Sequence, residues 1–144
     1  AKAASVARGR PEAWIIGADT VVVLDNEILG KPRHAEEAVQ MLTKLQGREH
    51  LVLSGCAVLN PKRKIEKVFH SLTRVRFVPM HLSAIRKYVQ SGEPLDKAGA
   101  YAIQGKGAAL VAEINGSYTN VVGLDLAKLM EVLESLGFFC VIPA

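Results

Sequence analysis

The sequence predicts an α/β protein in which a mixed, twisted β-sheet is flanked by helices. Apolar stretches typical of strands alternate with amphipathic stretches typical of helices along the whole chain. Several links between successive strands are too short to contain a crossover helix, which argues against an all-parallel sheet. The chain has 144 residues, of which 49% are hydrophobic and 22% are charged, as expected for a single folded domain over residues 1–144.

The first part of the chain has two predicted helices around three predicted strands. In the second helix Ala38, Met41, Leu42 and Leu45 recur on one face, and Gly47 follows its end. The first strand is interrupted by a carboxylate before its β-branched run resumes. The predicted helices cover residues 2–10 and 35–45, and the predicted strands cover residues 14–24, 27–29 and 51–59.

The second part of the chain has two more predicted strands, over residues 65–78 and 108–114, and two helices, over residues 83–90 and 125–136. Alternation within the long strand places Arg74 on the same face as Arg76. Such a pair can hold phosphate, but it is more typical of the solvent-facing side of an outer strand, which is the interpretation we adopt. The last helix has an apolar face made of Leu129, Met130, Leu133 and Leu136.

The composition and charge of the chain limit the functions that it can have. A net charge of +4 favours anionic ligands but is too small to indicate nucleic acid. No apolar run reaches the roughly eighteen residues of a membrane span, and no signal-peptide pattern opens the chain, so we expect a cytoplasmic protein. Cys56 and Cys140 lack metal-ligand spacing and are expected to be reduced and buried. The four histidines form no metal-binding pair, and no catalytic role is predicted for them.

Polar residues at three places in the sequence are candidates for a catalytic or binding site. Asp19 interrupts an otherwise apolar strand, and a carboxylate there is costly unless it is paired, hydrogen-bonded or metal-bound. Lys31 lies in a turn, between a glycine and a proline. Asp96 and Lys97 are adjacent in a glycine-rich segment, residues 95–107. Each has an ordinary structural explanation as well: a strand-end carboxylate that accepts backbone N–H groups, a solvated turn lysine, and a solvated surface loop.

Taken together, the same residues suit phosphoryl chemistry. Asp19 and Asp96 offer oxygen ligands to a hard divalent cation. Lys31 and Lys97 offer positive charge to phosphate oxygens, and the glycines offer backbone donors at close range. These residues can act together only if the fold brings them into one cleft, which is what we predict. The sequence contains no P-loop, dinucleotide-binding fingerprint or recognisable nucleophile set.

Several segments also resemble a known family. They are residues 17–22 (GADTVV), 30–32 (GKP) and 93–105 (EPLDKAGAYAIQG), with further likeness at 115–118 (NGSY) and 121–124 (VVGL). Over essentially the whole chain the sequence resembles the Maf family of nucleoside triphosphate pyrophosphatases. The likeness is closest to the branch that hydrolyses dTTP and UTP, since Thr20 and Gln104 match the selectivity positions of that branch.

The resemblance implies a Maf/ITPase-like sheet and the metal-dependent hydrolysis of a nucleoside triphosphate to a monophosphate and pyrophosphate. Modified pyrimidine nucleotides are further candidate substrates. It also implies Mg or Mn as cofactor and a homodimer, with neither a stable nucleic-acid partner nor a membrane. The candidate site residues are Asp19, Lys31 and Lys97 for catalysis, Asp19 and Asp96 for the metal, and Lys2, Thr20 and Gln104 for substrate binding.

The sequence departs from the family pattern at its start. Family members open with a strand and a Ser-x-x-Arg-Arg loop that cradles the triphosphate, whereas the first matching position here is the helix that holds Lys2. We therefore expect a fragment or a truncated product that lacks the first strand and part of the phosphate cradle. The alternative to an enzyme is a non-catalytic nucleotide-binding or cell-division regulatory protein.

Overall fold

A computed structural model describes residues 2–138, and a five-stranded sheet forms the centre of this part of the chain. The strand order is β2-β1-β3-β4-β5, and each of the four pairings is antiparallel. The strands are β1 (Ile15–Leu24), β2 (Glu27–Leu29), β3 (Glu49–Asn60), β4 (Ile65–Phe77) and β5 (Val111–Asn115). The α/β class with a sheet flanked by helices is confirmed. The mixed sheet expected is not observed within residues 2–138, because every pairing there is antiparallel, and β1–β2 and β3–β4 are joined by short hairpins.

Five α-helices accompany the sheet within residues 2–138. Side chains cap three of them: His34 accepts the Glu37 N–H at the start of the second helix, and Ser117 and Asp125 cap the fourth and fifth in the same way. The helices are α1 (Lys2–Ala7), α2 (Ala35–Leu45), α3 (Leu82–Gln90), α4 (Tyr118–Val122) and α5 (Leu126–Ser135).

Three details differ from the sequence prediction. The helix predicted over residues 2–10 ends at Ala7. The strand predicted over residues 108–114 begins only at Val111, because Gly105–Leu110 forms a 3-10 helix. Helix α4 was not predicted at all. It is only five residues long, and valines with β-sheet preference end it.

Apolar side chains are packed on both faces of the sheet, but far more of them on one face than on the other. Strand register places Val22, Val52 and Val75 on one face, where they pack in the main apolar core with α2 and α3. Farther along the same face, Cys56 and Val58 pack against α5, whose four predicted apolar residues all take part. Helix α1 covers part of the opposite face through a small cluster of Ala3, Ile15 and Leu59.

The arginine pair on β4 is exposed, as predicted. Arg74 lies 3.7 Å from Glu49 and Arg76 pairs with Glu113, and all four side chains are about half exposed or more. Screened pairs of this kind contribute little to stability. These arginines therefore form the solvent face of the strand.

Cys56 is buried with a free thiol, and burial raises its pKa. Its state agrees with the expectation, whereas Cys140 lies outside the described residues. None of the helices within residues 2–138 has both the length and the apolar character needed to cross a membrane.

His50 is the most buried ionisable group of the main core, at 2% exposure. Its Nε2 lies 2.9 Å from the Tyr101 hydroxyl, and its ring meets the edges of Phe77 and Tyr101 at centroid distances of 4.8 and 5.4 Å. Burial lowers the pKa of His50 to about 4. The side chain is therefore neutral at pH 7 and acts as part of the core.

This burial predicts a pH-dependent stability. Between pH 6.5 and about 4 the unfolded chain binds a proton at His50 that the folded chain does not. The stabilisation is thus complete above pH 6.5 and is lost as the pH falls towards 4, by roughly 2–3 kcal/mol in the free energy of unfolding. Urea titrations at several pH values on the parent and on His50→Gln measure the difference.

The variant should show a shallower fall in stability over this range, because a carboxamide does not titrate. Exposed His81 provides the matched control, and His81→Gln should leave the pH profile unchanged. Equal slopes for the parent and His50→Gln would contradict the prediction.

Candidate functional site

A pocket of about 260 Å³ opens beside β1 and draws its walls from five parts of the chain. We call it the site pocket. Its walls are the middle of β1, Val52 on β3, the turn that follows β2, the segment of residues 93–105, which we call the site loop, and the end of α4. Because the site loop and α4 supply much of the lining, the pocket depends on how these two segments are attached to the sheet.

The residues predicted to converge do so. The site pocket is lined by Asp19, Thr20, Lys31, Asp96, Lys97 and Gln104, together with several apolar side chains. The remaining candidate, Lys2, begins α1, and its side chain lies outside the described part of the structure. The five polar residues of the sequence prediction thus all border one pocket, while their roles stay predictions.

Two successive residues of β1 face opposite sides of the sheet. Asp19 pairs directly with Gly55 on β3, and Thr20 pairs with Ser54, so the two side chains alternate between faces. Both residues nevertheless line the site pocket. Asp19 also lines a second cleft of about 230 Å³ on its own face, beside Gly17 and Gly55. The carboxylate thus lies at the boundary between two clefts.

Close contact at Gly99 docks the site loop on the sheet. The Gly99 N–H donates to the Gly30 carbonyl at 3.0 Å, next to Lys31. Gly99 has φ = +67°, and a Cβ there would lie only 2.8 Å from a methyl of Val22. Both the backbone conformation and the space therefore require glycine. This contact places Lys97 beside the turn that holds Lys31.

Glu93, the first residue of the site loop, binds the backbone just beyond the loop's last residue. Its carboxylate accepts the backbone N–H groups of Lys106 and Gly107 at 3.0 and 2.9 Å, and the Tyr88 hydroxyl at 3.1 Å. Burial acts to raise the pKa of Glu93, but the hydrogen bonds from Gly107, Lys106 and Tyr88 outweigh it, and the net pKa is lowered. An ionised Glu93 therefore fixes the loop at neutral pH.

The charges of the pocket lie close together. Lys97 Nζ is 2.6 Å from Asp96 Oδ1. This hydrogen bond is the main reason that the pKa of Asp96 is lowered, and the charge of Lys31 lowers it further. Asp96 is therefore ionised at neutral pH between two cations. A phosphate group entering the pocket would meet these lysines together.

Thr20 and Gln104 occupy different positions in the pocket. The Thr20 hydroxyl donates to the Gly123 carbonyl at 3.2 Å and so joins β1 to the end of α4. Gln104 is exposed and precedes a 3-10 helix that its side chain does not cap. Because the Gln104 carboxamide makes no hydrogen bond to the start of this helix, it can contact a ligand in the pocket.

Sequence reasoning missed part of the pocket. Tyr101, Val121, Val122 and Gly123 line it but were not predicted as site residues, and Glu93 was not predicted as the loop anchor. Residues 121–123 lie in one of the segments that resemble the Maf family, which was the available signal. The role of Glu93 follows from backbone N–H groups that converge in space, and no side-chain pattern reveals it.

The donor set of the pocket fits a hard cation shared with phosphate. Within residues 2–138 no three His, Cys, Asp or Glu side chains gather in the way a protein-only metal cage requires. The pocket does contain two carboxylates, Asp19 and Asp96. Mg²⁺ is commonly held by one or two carboxylates together with substrate phosphates and water, so two carboxylates beside two lysines suit a metal that arrives with its nucleotide.

The fold and pocket define an α/β protein that presents lysines and carboxylates in one cleft at its central sheet. Residues 1–136 match the family described as Maf-like protein, and the chain belongs to this family. A dTTP/UTP pyrophosphatase of Pelotomaculum thermopropionicum is 50% identical over 137 residues, which cover 95% of this chain and 72% of that protein.

Two further relatives carry the same name. A dTTP/UTP pyrophosphatase of Carboxydothermus hydrogenoformans is 50% identical over 137 residues, covering 95% of this chain and 74% of the relative. One of Desulfotalea psychrophila is 51% identical over 132 residues, covering 92% and 68%. The similarity thus extends over nearly all of this chain and about seven tenths of each relative.

The anchoring of the site loop gives a testable prediction. Glu93→Gln replaces one acceptor oxygen by an N–H₂ group, so one backbone N–H loses its partner and the charge-assisted bond to the other is weakened. We expect amide hydrogen exchange at Lys106 and Gly107 to accelerate by about tenfold, the equivalent of one hydrogen bond.

Native-state exchange followed by NMR measures this rate at each amide. Glu131→Gln, an exposed substitution on α5, is the matched control and should leave both amides unchanged. Unchanged protection in Glu93→Gln would show that the carboxylate does not hold the loop.

Proposed function

We propose that this chain is a nucleoside triphosphate pyrophosphatase that converts dTTP and UTP to the monophosphate and pyrophosphate. The observation that carries the proposal is the convergence of Asp19, Lys31 and Lys97 with Gln104 in one pocket. The names of the relatives supply the substrate class. A homodimer and a cytoplasmic location belong to the same proposal.

Lys31 and Lys97 bind the phosphate oxygens in this proposal. Phosphoryl transfer places little covalent demand on the protein, and catalysis comes mainly from positioning and from neutralising negative charge. Two lysines on separate segments can contact oxygens of different phosphates. Because the site loop is fixed by Gly99 and Glu93, Lys97 is held in place before the nucleotide binds.

Asp19 acts as the general base. Its carboxylate accepts a proton from a water molecule as the water oxygen bonds to phosphorus, and the bridging P–O bond breaks to release pyrophosphate. Asp19 and Asp96 are also the residues that would hold Mg or Mn, which when bound neutralises charge on the phosphate oxygens and makes water more acidic.

Gln104 recognises the base. Uracil and thymine present an N–H donor between two carbonyl acceptors, and a carboxamide offers an acceptor and donors in one plane. Thr20 helps to shape the pocket, because its hydroxyl donates to the Gly123 carbonyl, and the oxygen can still accept a hydrogen bond from a substrate. The valines at the end of α4 supply an apolar surface on which a pyrimidine ring can rest.

Incubation of the chain with UTP and Mg²⁺, with release of UMP and pyrophosphate as the readout, tests the proposal. Turnover supports the enzyme. Saturable UTP binding without turnover supports the alternative of a non-catalytic nucleotide-binding protein, and the absence of both overturns the assignment of the pocket. Gel filtration tests the dimer.

Asp19→Asn should lower kcat for UTP by about a hundredfold or more, since an amide has nearly the same shape but cannot accept the proton. The change in pyrophosphate release is measured at saturating UTP. Fluorescence of Trp14, which lies in the cluster packed beneath α5, reports whether the fold is retained.

Asp25→Asn is the matched control, because Asp25 lies in the turn after β1 and pairs with exposed Arg48. It should retain the parent's kcat. A kcat for Asp19→Asn within a few-fold of the parent would show that Asp19 is structural.

Gln104→Ala should lower kcat/KM for UTP and dTTP by up to about tenfold, the value of one hydrogen bond, and affect purine triphosphates much less. Parallel assays with UTP and ATP measure the ratio. Gln40→Ala, on the exposed side of α2, should leave both values unchanged. An equal loss for all nucleotides would mean that Gln104 supports the loop and does not read the base.

A further inference from the structure

A buried polar network lies under α4, between the sheet and the site pocket. Asn120, in the middle of α4, is 0% exposed. The residues that follow it, Val121, Val122 and Gly123, line the pocket, and we call these three the α4 wall. Asn120 itself does not line the pocket, so any effect on a ligand passes through the wall.

The carboxamide of Asn120 is fully engaged. Its Oδ1 accepts a hydrogen bond from the Ser54 hydroxyl, and its Nδ2 donates to the Val52 carbonyl at 3.2 Å and to Thr73 Oγ1 at 3.0 Å. Two donors and one acceptor oxygen thus meet partners on β3 and β4. This arrangement permits one orientation of the amide and one position of the helix that carries it.

Hydrophobic packing contributes less to the position of α4. Tyr118 and Val122 are about half exposed, and Val121 alone among its apolar side chains packs against the main core. A helix of five residues has little stability of its own. Polar contacts also hold its two ends, from Thr73 to the Ser117 backbone and from Thr20 to the Gly123 carbonyl.

We infer that Asn120 is a positioning residue that sets the α4 wall and thereby the affinity of the site pocket for the base of the nucleotide. This inference rests on the proposed function and deepens it. The charged groups, Asp19, Lys31 and Lys97, belong to β1, the turn and the site loop. A displaced α4 wall therefore weakens binding and leaves the chemical step largely intact.

The sheet provides a matched pair of substitutions. Ser54 and Ser71 lie directly opposite each other in the β3–β4 register, and both are buried, at 4% and 3% exposure. The Ser54 hydroxyl donates to Asn120 on α4, whereas the Ser71 hydroxyl donates to Asp125 at the start of α5. Each serine-to-alanine change removes one buried hydrogen bond, but only Ser54→Ala removes one from Asn120, the residue that precedes the α4 wall.

Ser54→Ala should raise KM for UTP by about three- to tenfold with little change in kcat, in proportion to one lost hydrogen bond. Ser71→Ala should destabilise the protein to a similar degree and leave KM close to that of the parent. Assays are run well below the unfolding temperature of both variants, so that each is fully folded. Equal KM values in the two variants, or a loss confined to kcat, would overturn the inference.

A second readout does not depend on turnover. Hydrogen exchange at the Gly123 and Leu124 amides, which donate to the Thr119 carbonyl, reports the order of the α4 wall. These amides should exchange faster in Ser54→Ala than in Ser71→Ala, and equal exchange would overturn the inference even in an active protein. A parent that neither binds nor hydrolyses UTP would overturn the proposed function, while the exchange rates would still decide the role of Asn120.

Discussion

The site depends above all on the close approach of the site loop to β1 at Gly99. The loop crosses the strand so closely that a methyl group at this position would clash with Val22, and its backbone bonds to the Gly30 carbonyl. One contact therefore joins the three segments that carry Asp19, Lys31 and Lys97. Moving the loop outward would separate the two lysines and weaken any combined hold on a polyphosphate.

The period of a β-strand explains how neighbouring residues of β1 serve different purposes. Because side chains alternate across the sheet, Thr20 faces α4 and joins it to the strand, whereas Asp19 faces the opposite side. A helix would place two successive residues about 100° apart on one surface, which would not separate them in this way. The carboxylate can thus border both clefts while the hydroxyl joins β1 to the end of α4.

The sequence was most informative where a residue type conflicts with its surroundings. Asp19 in an apolar strand and Lys31 between Gly30 and Pro32 were identified as candidates because an ordinary strand or turn does not require them. The main helices followed from apolar periodicity, as the packing of Leu129 and its partners on α5 shows. Residue types alone did not show convergence, since Asp19 and Asp96 are 77 positions apart and the site loop is held to the turn after β2 by a backbone hydrogen bond.

Helix α4 shows why some elements of the fold and of the site could not be predicted from the sequence. Its five residues include two valines, which favour strands, and it is held by side chains from β3 and β4 that are distant in sequence. Tertiary contacts override local preference when a short element gains more from buried hydrogen bonds than it loses in propensity. Glu93 is similar, because its partners are backbone N–H groups that no sequence pattern displays.

The buried polar groups under α4 fix the position of this helix, which carries one wall of the site pocket. Ser54 and Thr73 lie on the face of the sheet between the main apolar core and the cluster under α5, and Asn120 on α4 bonds to both. An apolar surface there would allow α4 to slide, because hydrophobic contact is not directional, whereas hydrogen bonds fix both distance and angle. Burying these groups costs free energy that their mutual bonds offset. The fold thus combines an apolar core, which stabilises the protein, with a buried polar patch, which fixes the position of α4. This patch lies under the α4 wall of the site pocket.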